Sequence, residues 1–127
     1  YPHKVDRHNA PVDPNFSGAG RTLTDAKGRY RFITIRPGEY PWRNHYNAWR
    51  PAHIHFSLFG QAILTRLVTQ MFFPGEPLND ADAILSAIPD PQARGRCVAR
   101  LVPSQTNELV YEHELVVRGR NATARMP

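Results

Sequence analysis

Proline is the residue that most constrains how this chain can fold. The sequence holds 12 prolines in 127 residues, about 9% of the chain, where proteins average about 5%. Proline inside a helix removes a backbone hydrogen bond and clashes with the preceding turn, so prolines spread along a chain disfavour long helices. The apolar content of 41% is ordinary for a globular protein. We therefore expect one globular domain over residues 1–127, built from short elements and loops.

Alternating or β-branched apolar residues predict a series of short strands. Four of them lie at residues 52–59, 62–73, 98–102 and 109–117. Residues 21–24 and 29–35 add a predicted hairpin, because Gly28 can supply the positive φ of the turn between them. A long irregular loop follows over residues 39–51.

Only one segment, residues 80–88, has the apolar spacing of a helix, with Asn79 or Asp80 as the expected N-cap. One short helix among several short strands favours a mainly β fold. We expect an antiparallel β-sandwich with long irregular loops.

The charge and cysteine counts narrow the classes of function. The net charge is +5, but the arginines are scattered apart from a small group near the end, so we expect no nucleic-acid partner. A basic nucleic-acid binder, which would show strongly salt-dependent binding, stays the alternative.

No stretch approaches the ~20 apolar residues of a membrane span. The single cysteine, Cys97, cannot form an internal disulfide, and we expect a cytoplasmic protein.

Two histidines on one predicted strand form the first candidate site. His53 and His55 project to the same face of the strand, while Ile54 points to the opposite face. Two imidazoles about 7 Å apart along a strand can reach one metal ion, and imidazole suits Zn, Cu, Fe and Ni. Taken alone, the pair favours the alternative of two exposed histidines that bind no metal.

Tyr40 is a candidate third ligand. Pro41 restricts the preceding tyrosine to extended backbone geometry, which holds it rigidly in the loop. A phenol has an ordinary pKa of about 10, so only a strongly polarising cation, such as ferric iron, deprotonates it near neutral pH. A buried tyrosine with a hydrogen-bonded hydroxyl is the alternative.

The sequence around these residues is similar to a known family. The blocks Pro-Gly-Glu-Tyr-Pro-Trp-Arg-Asn at residues 37–44 and Trp-Arg-Pro-Ala-His-Ile-His at residues 49–55 closely resemble the intradiol ring-cleaving dioxygenases. The resemblance runs from Tyr1 to about Gly119. It implies that the chain is the C-terminal catalytic portion of a longer subunit.

The resemblance implies a non-haem ferric iron, Fe(3+), held by two tyrosines and two histidines. Tyr40, His53 and His55 match three of these ligands. Tyr1 matches the axial tyrosine, which leaves the metal when substrate binds and can then accept a substrate proton.

Three further residues match the family's substrate pocket. Arg50 matches the arginine beside the bound ring, where it would stabilise negative charge. Gln70 and Trp42 match a polar and an aromatic residue of the pocket. The alternatives are a surface position for Arg50, a backbone-tied polar group for Gln70 and plain packing for Trp42.

The implied activity is the cleavage of 3,4-dihydroxybenzoate by dioxygen to 3-carboxy-cis,cis-muconate, a step in aromatic compound degradation. The resemblance also implies a homologous α subunit as partner. Another catechol as substrate stays open. A metal-free binding module of transthyretin-like shape is a further alternative, but it would leave the tyrosine, arginine and histidine set without a common purpose.

Several polar residues are expected to lie outside the site. We expect surface or hydrogen-bonded positions for His3, His8, His45 and His113. Cys97 is expected to be a small buried hydrophobe, and Asp13 is expected to cap a turn.

Overall fold

Six short strands dominate the part of the chain that the computed structural model describes, residues 8–44, 46, 48–61 and 66–127. They are β1 (Tyr40–Trp42), β2 (Ala48–Arg50), β3 (His53–Phe59), β4 (Arg66–Phe72), β5 (Arg100–Val102) and β6 (Val110–Glu112). Each strand pairs with its neighbour along the chain, which gives three antiparallel two-stranded sheets. The predicted mainly β class is confirmed.

The register of β3 and β4 determines which side chains share a face. His53 lies opposite Phe72, and His55 lies opposite Gln70. Directly opposed residues of an antiparallel pair project to the same side, so these four side chains share one face of the sheet. Ile54 projects to the other face and packs against a buried apolar cluster, as its place between the two histidines predicts.

Both faces of β4 are covered by apolar residues. The cluster on one face contains Ala52, Met71, Phe73 and Ala99. The cluster on the other face contains Phe72, Leu85, Cys97 and Met126. A strand buried on both faces reads as a continuous apolar run in the sequence, which explains why β4 could be predicted without clear alternation.

The helical region differs from the prediction of one helix over residues 80–88. A 3-10 helix (Pro77–Ala81) is followed by the short helix α1 (Ala83–Ser86). Asp82 separates them because its backbone is extended, with φ −69° and ψ 120°. Asp82, rather than Asn79 or Asp80, is the N-cap of α1, since its carboxylate accepts a hydrogen bond from the Leu85 N–H at 3.0 Å.

A second α-helix, α2 (Pro91–Gly95), was not predicted. It begins with the pattern that favours a helix start, an aspartate followed by proline at the first helical position. The Asp90 carboxylate accepts a hydrogen bond from the Gln92 N–H at 3.0 Å. The helix lacks apolar spacing, which is why periodicity did not reveal it.

The predicted hairpin at residues 21–35 is only partly present. Its turn forms, with Gly28 at φ 77° and the Gly28 N–H donating to the Asp25 carbonyl at 2.9 Å. The flanking segments, all of them described, form no strands, so the prediction of strands there is wrong. The apolar residues Leu23 and Ile33 are 91% and 81% exposed. Tyr30 and Phe32 pack against Phe56, but Leu23 and Ile33 stay exposed, and a two-stranded hairpin is marginal without a well-covered face.

The last two predicted strands are confirmed in part. The segments predicted at residues 98–102 and 109–117 contain the shorter strands β5 and β6, which pair with Leu101 opposite Tyr111. No helix among the described residues is long and apolar enough to cross a membrane.

Candidate metal centre

Two adjacent hairpins bring the candidate site together. In the β1–β2 pair, Tyr40 lies directly opposite Arg50. Residues 51 and 52 are buried and connect β2 to β3, so that His53 follows Arg50 by three positions. The two registers therefore place the predicted tyrosine, arginine and histidines close together.

The two histidines turn the same nitrogen toward each other. Nε2 of His53 lies 3.3 Å from Nε2 of His55. Nδ1 of His53 lies 2.8 Å from the Pro51 carbonyl oxygen, which can only accept, so Nδ1 carries the proton. In the neutral ring this leaves Nε2 with one lone pair, and both Nε2 of His55 and Nη1 of Arg50 lie within hydrogen-bond distance of it.

This spacing fits two ligands of one metal ion. Metal–imidazole bonds of about 2.0–2.1 Å place two nitrogens on one ion about 3 Å apart, which is close to the observed separation. The hydrogen bond from Nδ1 to a backbone carbonyl is also the usual partner that orients a metal-binding histidine. His53 and His55 are thus able to bind one cation together.

Tyr40 lies beside the histidine pair. Its ring centroid is 5.8 Å from that of His53, and its side chain is half-buried. The ring centroid of His8 lies 4.8 Å from that of Tyr40. The phenol ring is thus close to two imidazole rings.

Arg50 is fully buried, which excludes the surface alternative. Its Nε donates to Oδ1 of Asp82 at 2.9 Å, and its Nη1 donates to Nε2 of His53 at 3.0 Å. The guanidinium is therefore hydrogen-bonded to one of the two candidate metal-binding nitrogens.

Gln70 and Trp42 both contact their neighbours around Arg50. Gln70 is fully buried; its Oε1 accepts from Nη2 of Arg50 at 2.6 Å, and its Nε2 donates to the Pro127 carbonyl at 2.6 Å. It is thus both tied to the backbone and part of the arginine network. The Trp42 ring centroid lies 5.6 Å from Cζ of Arg50, a cation–π contact.

Tyr1, the predicted axial ligand, lies outside the described residues, as do His3 and His45. Within the described part of the chain, no group of three or more His, Cys, Asp and Glu side chains could hold a metal ion. A centre that combines two imidazoles with phenols is a different donor set. Tyrosine oxygen suits a hard ferric ion because the phenolate can be stabilised by its high charge.

Two residues near the site were missed in the sequence. Asp82 was assigned no role, and its burial against Arg50 has no local signature because the two residues are 32 positions apart. His8 was expected at the surface or in a hydrogen bond, and its contact with the ring of Tyr40 was not predicted. Its position in a proline-rich loop carried no periodic signal.

Other predicted structural residues are confirmed away from the site. Cys97 is fully buried among apolar side chains, and burial raises the pKa of its thiol. The Asp13 carboxylate accepts from the Asn15 N–H at 2.8 Å and caps a turn.

His113 differs from the prediction that it is exposed or hydrogen-bonded. Its Nε2 is buried without a hydrogen-bond partner, and its ring packs against Phe56 at 6.0 Å. Burial in this apolar setting lowers the pKa of His113 from 6.5 to about 4. The ring is therefore neutral at pH 7.

Comparison with known proteins finds ring-cleaving dioxygenases similar to this chain. The chain is 60% identical to the protocatechuate 3,4-dioxygenase beta chain of Burkholderia cepacia over 97% of its length and 53% of the relative's. It is 30% identical to a chlorocatechol 1,2-dioxygenase of Pseudomonas putida over 91% of this chain and 46% of the relative. It is 27% identical to the protocatechuate 3,4-dioxygenase alpha chain of Burkholderia cepacia over 85% of this chain and 53% of the relative.

The chain spans about half the length of these curated relatives. Residues 1–119 match the Dioxygenase family (Dioxygenase_C), which confirms the resemblance seen in the sequence. The chain belongs to the intradiol dioxygenases, an iron-dependent family.

Proposed function

We propose that this chain carries the ferric iron centre of an intradiol dioxygenase that opens 3,4-dihydroxybenzoate with dioxygen to 3-carboxy-cis,cis-muconate. The observation that carries the proposal is the 3.3 Å approach of Nε2 of His53 to Nε2 of His55, next to Tyr40 and a buried arginine. Membership of an iron-dependent dioxygenase family supports it.

In this proposal, four side chains hold the iron. Tyr40, His53 and His55 supply three ligands, and Tyr1 supplies the fourth through the family resemblance. Ferric iron, when bound, draws electron density from a chelated catechol and makes its ring reactive toward dioxygen. The protein keeps His53 in the correct tautomer through the hydrogen bond from Nδ1 to the Pro51 carbonyl.

Arg50 stabilises negative charge on the bound ring. Its guanidinium is permanently protonated and is oriented by hydrogen bonds to Asp82, His53 and Gln70. Trp42 packs on the guanidinium and limits its movement. The bonds to Asp82 and Gln70 hold the guanidinium in place, whereas a metal ion at Nε2 of His53 would displace the Nη1 contact, because that nitrogen has a single lone pair.

Proton transfer is assigned to Tyr1. A catechol loses its hydroxyl protons when it binds a metal ion, and Tyr1 as a tyrosinate would be a base able to accept one of them. Gln70 is fully buried, and it supports the substrate site by holding Nη2 of Arg50 through its Oε1.

The choice of substrate and partner rests on the relatives. The relative with 60% identity is named for protocatechuate and is a beta chain, and an alpha chain is also similar to this chain. We therefore propose a homologous α subunit as partner. Relatives named for chlorocatechol and hydroxyquinol support another catechol as the alternative substrate. The free thiol of Cys97 supports action in the cytoplasm.

Visible absorption of the purified full protein tests the centre. Charge transfer from a phenolate to ferric iron absorbs visible light, so the protein should be coloured and the band should shift when a catechol is added without oxygen. A preparation that stays colourless after iron loading would contradict the proposal. Turnover of 3,4-dihydroxybenzoate measured against unsubstituted catechol then decides the substrate.

A further inference from the structure

Asp82 is a fully buried carboxylate that holds Arg50 by two bonds. Its Oδ1 accepts from Nε of Arg50 at 2.9 Å, and its Oδ2 accepts from Nη2 at 3.1 Å. Neither side chain is exposed to solvent. Two parallel hydrogen bonds define the plane of a guanidinium as well as its position, which a single bond does not.

The other donors of Arg50 face the candidate centre. Nη1 donates to Nε2 of His53 at 3.0 Å, and Nη2 donates to Oε1 of Gln70 at 2.6 Å. Rotation of the guanidinium out of its plane would break both contacts. The carboxylate of Asp82 therefore selects which atoms of Arg50 point toward the histidines.

Asp82 is itself held in place by α1. Its Oδ2 accepts from the Leu85 N–H at 3.0 Å, and its carbonyl accepts from the Ser86 N–H at 2.9 Å. Leu85 is buried in the cluster that contains Phe72 of β4. The orientation of Arg50 is thus connected to a helix that supplies no side chain to the candidate metal centre.

The carboxylate also balances a buried charge. A guanidinium without a counter-ion, one hydrogen bond from His53, would oppose the binding of a metal cation there, because charges interact strongly in a poorly solvated interior. The ion pair is neutral, so Arg50 can lie beside the centre without this repulsion.

We propose that Asp82 is a positioning residue, which orients and neutralises Arg50 for the reaction. The effect on turnover rests on the proposed function, whereas the effect on the conformation of Arg50 does not. Asp82 acts through Arg50 and touches none of the reacting groups.

The substitution Asp82→Asn in the full protein tests this role. Asparagine keeps the side-chain volume and the ability to cap α1, but it offers only one acceptor to Arg50. We expect kcat to fall about tenfold to hundredfold, the range seen when partners of site residues are removed, with KM changed by less than about threefold. A crystal structure of the variant should show Arg50 moved away from Gln70.

Asp90→Asn is the matched control, because Asp90 caps α2 in the same way but is 58% exposed at its side chain. It should leave kcat and Arg50 unchanged. Asp82→Glu keeps the charge but shifts the carboxylate. Its kcat should fall less than that of Asp82→Asn, and the size of the fall should increase with the displacement of Arg50.

The double variant Arg50→Ala/Asp82→Asn separates positioning from general structural support. It should be no less active than Arg50→Ala, within about twofold, because Asp82 has nothing left to orient. If adding Asp82→Asn to Arg50→Ala lowered kcat by as much as Asp82→Asn lowers it in the wild type, the proposal would be overturned.

The remaining outcomes separate the two proposals. An active wild type with unchanged kcat in Asp82→Asn overturns the positioning role alone. An inactive, iron-free wild type overturns the proposed function, and the crystal structure of Asp82→Asn then decides about Asp82: an unmoved Arg50 refutes the role and a displaced Arg50 supports it.

Discussion

Two arginine–aspartate pairs in this chain have the same chemistry and opposite settings. In the site, Nε of Arg50 donates to Asp82 at 2.9 Å, and both side chains are fully buried. In the turn at residues 25–29, Nε of Arg29 donates to Asp25 at 2.8 Å, with side chains 72% and 42% exposed. Each aspartate also accepts a backbone N–H near it in sequence.

The difference shows that solvent, rather than geometry, decides what such a pair does. Water and salt screen the exposed pair, so it contributes little beyond the shape of its turn. The buried pair has no water to replace a lost partner, so removal of one side leaves an uncompensated charge. The same two residue types therefore serve a local turn in one region and orient a candidate catalytic group in the other.

The largest expected effect comes from removing a candidate ligand in the buried region. His55→Ala should abolish iron retention and lower activity by more than about 100-fold, the upper range for loss of a mere supporting partner. His113→Ala removes a buried histidine outside the site and should leave iron content unchanged. Iron content and turnover of the purified proteins measure both. Equal iron loss in the two variants would contradict the assignment.

Removal of each arginine compares the pairs directly. Arg50→Ala should lower the free energy of unfolding by about 3–5 kcal/mol, because Asp82 is left as a buried unpaired charge. It should also retain iron while lowering turnover. Arg29→Ala should leave the urea midpoint nearly unchanged. Similar midpoints for the two variants would show that burial does not distinguish the pairs.

His113 extends the comparison to a half-buried ring whose buried Nε2 has no hydrogen-bond partner. Its pKa is about 4 in the folded chain against an ordinary 6.5, so the unfolded chain binds the proton first as pH falls. Stability should therefore decrease from about pH 6.5 to about pH 4, by about 1–2 kcal/mol after allowance for partial solvent access to the ring. His113→Phe should remove this part of the pH dependence in urea unfolding measured at pH 7 and pH 5. If the free energy of unfolding differed between pH 7 and pH 5 by the same amount in His113→Phe and in the wild type, the lowered pKa of His113 would be refuted.

The smallest effect is expected in the exposed turn. The pKa of Asp25 is lowered mainly by hydrogen bonds from Arg29, but its carboxylate is open to water. Asp25→Asn should leave kcat and the urea midpoint within measurement error. A fall in kcat comparable to that of Asp82→Asn would show that solvent exposure does not determine which arginine–aspartate pair contributes to catalysis.

Local pattern was sufficient for part of the fold. The strand at residues 52–59 was predicted because alternation is a property of neighbouring residues, and β3 confirms it. The prediction of strands around Gly28 was wrong. The turn depends only on neighbouring residues, whereas strand pairing also needs a surface that buries residues such as Leu23, which here is exposed. The helix over residues 80–88 was divided because Asp82 adopts extended geometry as a cap.

The sequence by itself determined the candidate donors and the family. Tyr40, His53, His55 and Arg50 stand in two blocks of residues whose order is specific enough to identify the intradiol dioxygenases. Their residue types already restrict the chemistry, because phenol and imidazole together suit a ferric ion.

Only the tertiary structure decided how Arg50 is used. Its burial, its contact with His53 and its pairing with Asp82 arise where two hairpins and a helix meet. Residues 32 positions apart carry no local signal of their contact. Charge balance in a buried site depends on which distant chain segment supplies the counter-ion, and packing alone determines that.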